Sequence, residues 1–256
     1  MDCRACDPTG AASKLCYRRK VNPRPRFSII VPAHDEGSYL GETLEHIVNL
    51  SYPGEAYEAI VVENGSTDDT LAVAKRFEGP NVRVFSSEAT GVSAAKNFGI
   101  DQASATSDWL VFLDADTVLE KDFLNDLAAM VHTTRRRLAV GTTSIRPLNG
   151  DRRARIWFAY YDLVHRFQKS SYAIQIARRS LFPGIRFDER LAMGEDLLMM
   201  KQARESGEFF FLPTRTVLTS TRRFDAVGYW RLFFHWNFVS NLPQRRQEAF
   251  AYEVVR

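Results

Sequence analysis

The chain has little cysteine, little net charge and no long apolar run, and each shortage narrows what it can be. Only three of its 256 residues are cysteine, and Cys3, Cys6 and Cys16 all fall within the first sixteen. An odd count with no charged-then-apolar leader ahead of it argues against a disulfide scaffold and for a reducing compartment, so a cytoplasmic location is expected. Cys3 and Cys6 have zinc-knuckle spacing, but no second pair follows and the first histidine is His34; a polar tail is the simpler reading. No stretch approaches the roughly 18 apolar residues of a membrane span, so any membrane contact is expected to be peripheral. A net charge of +3 carries no nucleic-acid footprint, and no nucleic-acid partner is expected. There is no internal repeat and no low-complexity segment. With 45% hydrophobic and 25% charged residues, what remains is ordinary globular composition and enough chain for a sizeable core.

Residues 1–25 read as a flexible extension, because Gly, Pro, Ser and Arg dominate and "NPRPR" cannot continue a helix. From Phe27 the pattern becomes regular. Short β-rich runs at 27–32, 57–63, 82–87 and 109–114 alternate with helical segments at 36–50, 68–77, 91–103 and 121–132. Leu40, Leu44, Ile47 and Val48 mark one face of the first helix, and Ser66 or Thr67 is placed to cap the second from Asp68. Such alternation implies right-handed crossovers and a mostly parallel sheet, whose ligands bind beyond the carboxyl ends of the strands. The unusual residues fall there: "PAHDE" after the first strand, "ENGSTDD" after the second and "DAD" after the fourth. Beyond about residue 145 the pattern dissolves into aromatic-rich helical pieces and short extended ones.

Asp114 and Asp116 follow the apolar run Trp109–Leu113 directly. In an extended chain residues i and i+2 project to one side, so the two carboxylates can converge. Like charges a few ångströms apart repel unless a cation or a proton lies between them. A hard divalent ion answers that, as does an Asp-rich turn in which Asp116 caps a helix starting near Glu120. Glu63 and Asn64 end the second strand, where a base or ribose could be hydrogen-bonded. Gly91 opens a helix that carries Lys96, and helix N-termini favour anions. The segment lacks the spacing of a Walker loop or a GxGxxG fingerprint. Glu195 and Asp196 begin another helix, where acids suit the dipole or serve as catalysts. Arg222 and Arg223 are either surface charge or a grip on a diphosphate.

"FSIIVPAHDE", "AIVVENGSTDDT", "GVSAAKNFGI", "WLVFLDADTVL" and "MGEDLLMMKQARESG", in this order and spacing, resemble a family 2 glycosyltransferase of the GT-A fold, over about Phe27 to Phe224. The resemblance implies an α/β architecture, a Rossmann-like and mostly parallel central sheet flanked by helices with an aromatic-rich C-terminal acceptor-side region. It implies one domain over 26–256, with a nucleotide-sugar half at 26–118 and an acceptor half at 119–256. It places Pro32, Ala33, His34 and Glu36 against the nucleotide base and ribose, Glu63 and Asn64 at the base, and Lys96 near the nucleotide. Asp114, Ala115 and Asp116 form the DxD loop that holds Mg²⁺ or Mn²⁺ on the donor diphosphate, Asp116 being the direct ligand. Asp196 is the implied base toward the acceptor hydroxyl, with Glu195 beside it.

Three departures qualify these roles. Asn64 stands where a base-reading aspartate is usual, but an amide can still accept from a base N–H and can also donate, so a UDP-sugar donor stays the expectation and a GDP-sugar stays open. The histidine often found as a further metal ligand is replaced by "TSTRR", so Arg222 or Arg223 is expected to neutralise the leaving diphosphate instead. The "QxxRW" mark of processive synthases is absent, so transfer of a single sugar, with inversion, is expected. The acceptor is a sugar, a lipid-linked or another hydroxyl, and the location is cytoplasmic or peripheral on the inner face of a membrane. Two rivals are kept: a sugar-phosphate nucleotidyltransferase, which would carry a glycine-rich basic loop where this chain has the acidic "PAHDEGSYL", and a non-catalytic nucleotide-sugar-binding module. The segment 229–242, with Trp230, Phe233, Phe234, Trp236 and Phe238, either covers the acceptor-side core or lies on a membrane.

Overall fold

The structure, a computed structural model, describes residues 24–240 apart from 89, 135, 151, 171, 172, 183 and 192, with side chains described up to 234. Cys3, Cys6, Cys16 and the extension that holds them lie outside the described residues, as do residues 241–256 and the side chains of Trp236 and Phe238.

Four apolar runs become the parallel half of the main sheet. They are β1 (Phe27–Ala33), β2 (Tyr57–Glu63), β3 (Val82–Ser86) and β4 (Trp109–Leu113). Every residue of β1 and β4 is buried, as expected of strands covered on both faces, which read as continuous apolar runs. Helices α1 (Gly37–Val48), α2 (Thr70–Lys75) and α3 (Val92–Gln102) make the crossovers. The chain continues as β5 (Thr117–Leu119), α4 (Phe123–Thr133), β6 (Leu138–Thr143), β7 (Arg146–Pro147) and α5 (Arg152–Gln168). It ends with β8 (Ile174–Arg178), α6 (Glu195–Ala203), β9 (Glu208–Leu212), β10 (Val217–Thr219), α7 (Arg222–Val227) and α8 (Tyr229–Ser240).

The seven-stranded sheet runs β3-β2-β1-β4-β8-β6-β9. Strand β8 is antiparallel to both β4 and β6, and β9 is parallel to β6. From β1 the chain winds outward through β2 and β3, then returns to place β4 on the other side of β1. That reversal opens a crevice at the carboxyl ends of β1 and β4, the usual ligand site of such sheets. A separate three-stranded sheet runs β5-β10-β7.

The alternation along each strand feeds two cores. Ile29, Val31, Val61 and Val111 pack with Leu40, Leu44 and Ile47 of α1. Ile30, Ile60, Leu110 and Phe112 pack with Ala95 of α3 and Met199 and Met200 of α6.

Three local expectations are corrected. Val48 is exposed, and Thr43 takes the buried place on α1. Its hydroxyl donates to the Ala115 carbonyl at 2.7 Å, so a polar residue inside the core pins the loop after β4. Helix α2 starts at Thr70, because Ser66 and Thr67 are engaged with Asp35 of the neighbouring loop (3.1 and 2.7 Å) rather than capping it. Asp116 caps no helix: β5 intervenes, and α4 begins at Phe123. Thr117–Leu119 pair with β10, a partner about a hundred residues away that no local signal reveals.

Candidate active site

At the crevice between β1 and β4 lies a cavity of about 750 Å³. Pro32, Ala33, His34, Glu36, Asn64, Lys96, Asp114, Ala115, Asp116, Glu195, Asp196, Arg222 and Arg223 all line it. Glu63, expected among them, does not. Its carboxylate turns into the loop, where it accepts from the Ser66 backbone N–H (2.6 Å) and the Ser86 hydroxyl (2.8 Å). Despite its burial, those donors hold its pKa below the usual carboxylate value. Glu63 therefore shapes the turn that presents Asn64. The Asn64 side-chain amide donates to the Gly91 carbonyl (3.1 Å), and the Asn64 backbone carbonyl meets His34 Nδ1 at 3.0 Å.

The two aspartates of the DxD loop have different surroundings. Withdrawal from water pushes the Asp114 pKa up to about 6, with the charges of Asp116 and Asp196 adding to the rise and Lys96 opposing it. Asp116 accepts from Arg222 Nε at 3.0 Å. The same guanidinium donates to Glu36 and stacks 4.4 Å over the Tyr39 ring. Arg222 thus ties the loop after β1, the loop after β4 and the start of α7 together. Arg223 lies close enough to Asp114 and Asp116 for both to favour its charge, although burial outweighs them and lowers its pKa.

Gly194, in the left-handed region (φ 88°), starts α6, a conformation glycine adopts without Cβ strain. This turn delivers Glu195 and Asp196 to the cavity. Lys96, on α3, reaches across to Asp196 Oδ1 at 2.6 Å and Glu195 Oε1 at 3.4 Å. The expectation that Lys96 serves the nucleotide thus meets an ammonium already occupied by two carboxylates. Its burial disfavours charge, but Asp196, Glu195 and Asp114 together outweigh that and raise its pKa. Gln175 of β8 donates to the other Asp196 oxygen at 3.0 Å. Burial and the neighbouring Asp196 push Glu195 up to about 7.

Asp114 and Asp116 are the residues that could hold a divalent ion. No group of three or more His, Cys, Asp or Glu side chains placed for a metal occurs among the described residues. A pair nevertheless fits Mg²⁺ or Mn²⁺, which are commonly held by one or two carboxylates while substrate phosphates and water complete the shell.

Reading the sequence missed the third wall. Tyr161, Val164, His165 and Gln168 of α5, with Phe224 of α7 and Phe233 of α8, line the cavity. The available signal was the aromatic density of "RIWFAYYDLVHRFQ", but helical spacing of aromatics marks a core as readily as a pocket. Ser93, at the first turn of α3, was missed too; its buried hydroxyl has no hydrogen-bond partner among the described residues.

The strand order and the acid-lined cavity at its reversal point define a GT-A architecture. Residues 28–190, more than half of the chain, match the family model described as glycosyl transferase family 2, and the chain belongs to that family. It is 28% identical over 107 residues to the poly(ribitol-phosphate) beta-N-acetylglucosaminyltransferase TarS of Staphylococcus aureus, covering 41% of this chain and 19% of that protein. It is 27% identical over 192 residues to the glycosyltransferase AglE of Haloferax volcanii, covering 72% of this chain and 62% of AglE. The chain thus spans about a fifth of TarS and less than two thirds of AglE. A crystal structure of TarS 1–349 with UDP-GlcNAc superposes with a TM-score of 0.65 at 22% identity, over 87% of this chain and 69% of that one. The mannosyltransferase PcManGT of Pyrobaculum calidifontis, with GDP-Man and Mn²⁺, gives 0.62 at 18% identity, over 88% and 67%. Identities this low establish a shared fold.

Proposed function

We propose that this chain transfers one sugar from a nucleoside-diphosphate sugar to an acceptor hydroxyl by single displacement with inversion. A UDP-sugar is the favoured donor and a GDP-sugar the alternative. The supporting observation is that one cavity is lined both by Asp114, Asp116, Arg222 and Arg223 and by the acid pair Glu195 and Asp196. The first suits a diphosphate leaving group and the second an acceptor that must lose a proton.

A Mg²⁺ or Mn²⁺ ion held by Asp114 and Asp116 would supply positive charge to the donor diphosphate. Arg222 and Arg223 add hydrogen-bond donors for the same developing charge. Asn64 offers both a donor and an acceptor toward the base. Asp196 takes the acceptor proton as the new glycosidic bond forms and the bond to the diphosphate breaks. Gln175 and Lys96 hold its two oxygens in place, and the ammonium provides the counter-charge that a half-buried carboxylate requires. Glu195, whose pKa is raised by burial and by the neighbouring Asp196, stands beside the base to orient the acceptor.

Single-turnover kinetics with a panel of nucleotide-sugars tests this assignment. Asp196→Asn is expected to keep donor affinity within a few-fold and to slow transfer by at least ~10², the lower range for losing a general base. Glu195→Gln should cost less. Unchanged rates in Asp196→Asn with collapse in Glu195→Gln would make Glu195 the base.

A further inference from the structure

The cavity uses only one side of α5; its other side carries a feature that the transferase reading does not require. Ile156, Tyr160, Leu163 and Phe167 are exposed, Ile156 and Phe167 by 64% and 78%. At 100° per residue these four fall within about 60° of one another, an apolar stripe roughly 16 Å long. Trp230 and Phe234 of α8, also exposed, stack on each other and extend the stripe through the Trp157–Trp230 contact at 4.6 Å. Six of the eight exposed large hydrophobic residues in the described chain belong to this one surface. A dispersed set would be ordinary; a contiguous one marks a docking site.

The charges beside the stripe identify the occupant. Arg152, Arg153, Arg155 and Arg166 of α5 are exposed, as are Lys169 just beyond it and Arg231 of α8, whereas the only acid on α5, Asp162, is partly buried and accepts from the Ile145 backbone N–H. Asp225 of α7 is held by Thr221 and Tyr229. We propose that α5 and the start of α8 form an interfacial surface that lies on an anionic lipid bilayer, with the apolar stripe in the headgroup–acyl boundary and the arginines on the lipid phosphates. A second copy of the chain is a poorer occupant, because a two-fold interface would set this cationic surface against itself. No helix among the described residues is long and apolar enough to cross a membrane, so the contact is peripheral. Because Tyr161, Val164, His165 and Gln168 on the adjoining face of α5 line the cavity, docking would bring the cavity wall alongside the lipid surface, where an amphipathic acceptor resides.

Flotation of the full chain with vesicles tests the surface without any turnover, so the outcome is independent of the transferase reading. The chain should float with equimolar phosphatidylglycerol and phosphatidylcholine, and not with phosphatidylcholine alone. The exposed pair Leu163→Ser with Phe167→Ser should weaken partitioning about tenfold or more while leaving the melting temperature unchanged. Arg152→Glu with Arg155→Glu should do the same, since acids at a helix start do not harm the helix. A wild-type chain that stays at the bottom at low salt overturns the proposal. So does equal flotation of wild type and both variants, or a wild-type dimer that the Leu163 and Phe167 changes convert to monomer.

Discussion

Lys96 and Asp196 come from helices a hundred residues apart, yet the ammonium stands 2.6 Å from the carboxylate, almost wholly out of water. Glu195 and Asp114 add further negative charge around the same nitrogen. One lysine therefore balances a cluster of acids that burial would otherwise penalise. The acid pair of α6 and the helix that carries Lys96 form a single electrostatic unit.

Removing that lysine should be costly for the fold as well as for catalysis. Lys96→Met leaves Glu195 and Asp196 without their cation and is expected to destabilise by about 3–5 kcal/mol, the range for breaking a buried ion pair from one side. Lys96→Arg keeps the charge and should recover part of the loss. Chemical denaturation of the three proteins reads both, and a Lys96→Met variant as stable as wild type would show that the pair contributes nothing.

Gly99 sets where Lys96 stands. A methyl group at that position would lie 2.4 Å from Ile30 Cγ2, so α3 approaches β1 as closely as it does only because position 99 has no side chain. Gly99→Ala is expected to destabilise by about 1–3 kcal/mol through overpacking, even though alanine favours the helix. Because the shift moves the helix bearing Lys96, transfer should slow as well. Thermal melts with single-turnover assays measure both.

Asp116 and Arg222 should separate cleanly in nucleoside-diphosphate titrations. Asp116→Asn is expected to abolish most of the affinity gained on adding Mn²⁺, while the strand end it occupies leaves the core untouched. Arg222→Ala should weaken binding about tenfold with or without Mn²⁺, the loss of a charge-assisted hydrogen bond. Equal wild-type affinity in the presence and absence of Mn²⁺ would remove the metal from the reading.

Two groups beside the cavity predict opposite pH dependences of stability. Burial raises Asp162 from 3.8 to about 7, so the folded state keeps a proton that the unfolded chain releases; its contribution is present below about pH 4 and lost as pH rises to 7. Burial lowers His165 from 6.5 to about 4, so the unfolded chain takes up a proton first, and stability is lost as pH falls through that window. Relative to wild type, Asp162→Asn should gain about 1–3 kcal/mol at pH 8 and nothing near pH 4. His165→Gln should gain as pH falls toward 4 and nothing at pH 8. Urea denaturation across this range checks both signs, and a reversed trend in either variant refutes the role given to that residue.

How much of this was legible beforehand depended on how local the cause was. Strands β1, β2 and β4 announced themselves as continuous apolar runs, and their acidic ends marked the crevice, because both signals are carried by neighbours in sequence. The five ordered motifs held Pro32, His34, Glu36, Asn64, Lys96, Asp114, Asp116, Glu195 and Asp196, all of which line the cavity. Glu63 was misplaced because the donors that turn it away include Ser86, on a different strand. Strand β5 was missed because Thr117–Leu119 form a strand only against β10. Periodicity indicated the α/β alternation and its mostly parallel sheet, and the resemblance carried by the motifs picked out the carboxylate loop and the acid pair of α6. Tertiary structure alone decided that Lys96 neutralises those acids, that Arg222 bridges Glu36 and Asp116, and that α5 supplies a wall of the cavity. Charge pairing and cavity lining depend on distance in space, and across a hundred residues of chain, distance in sequence carries no information about it.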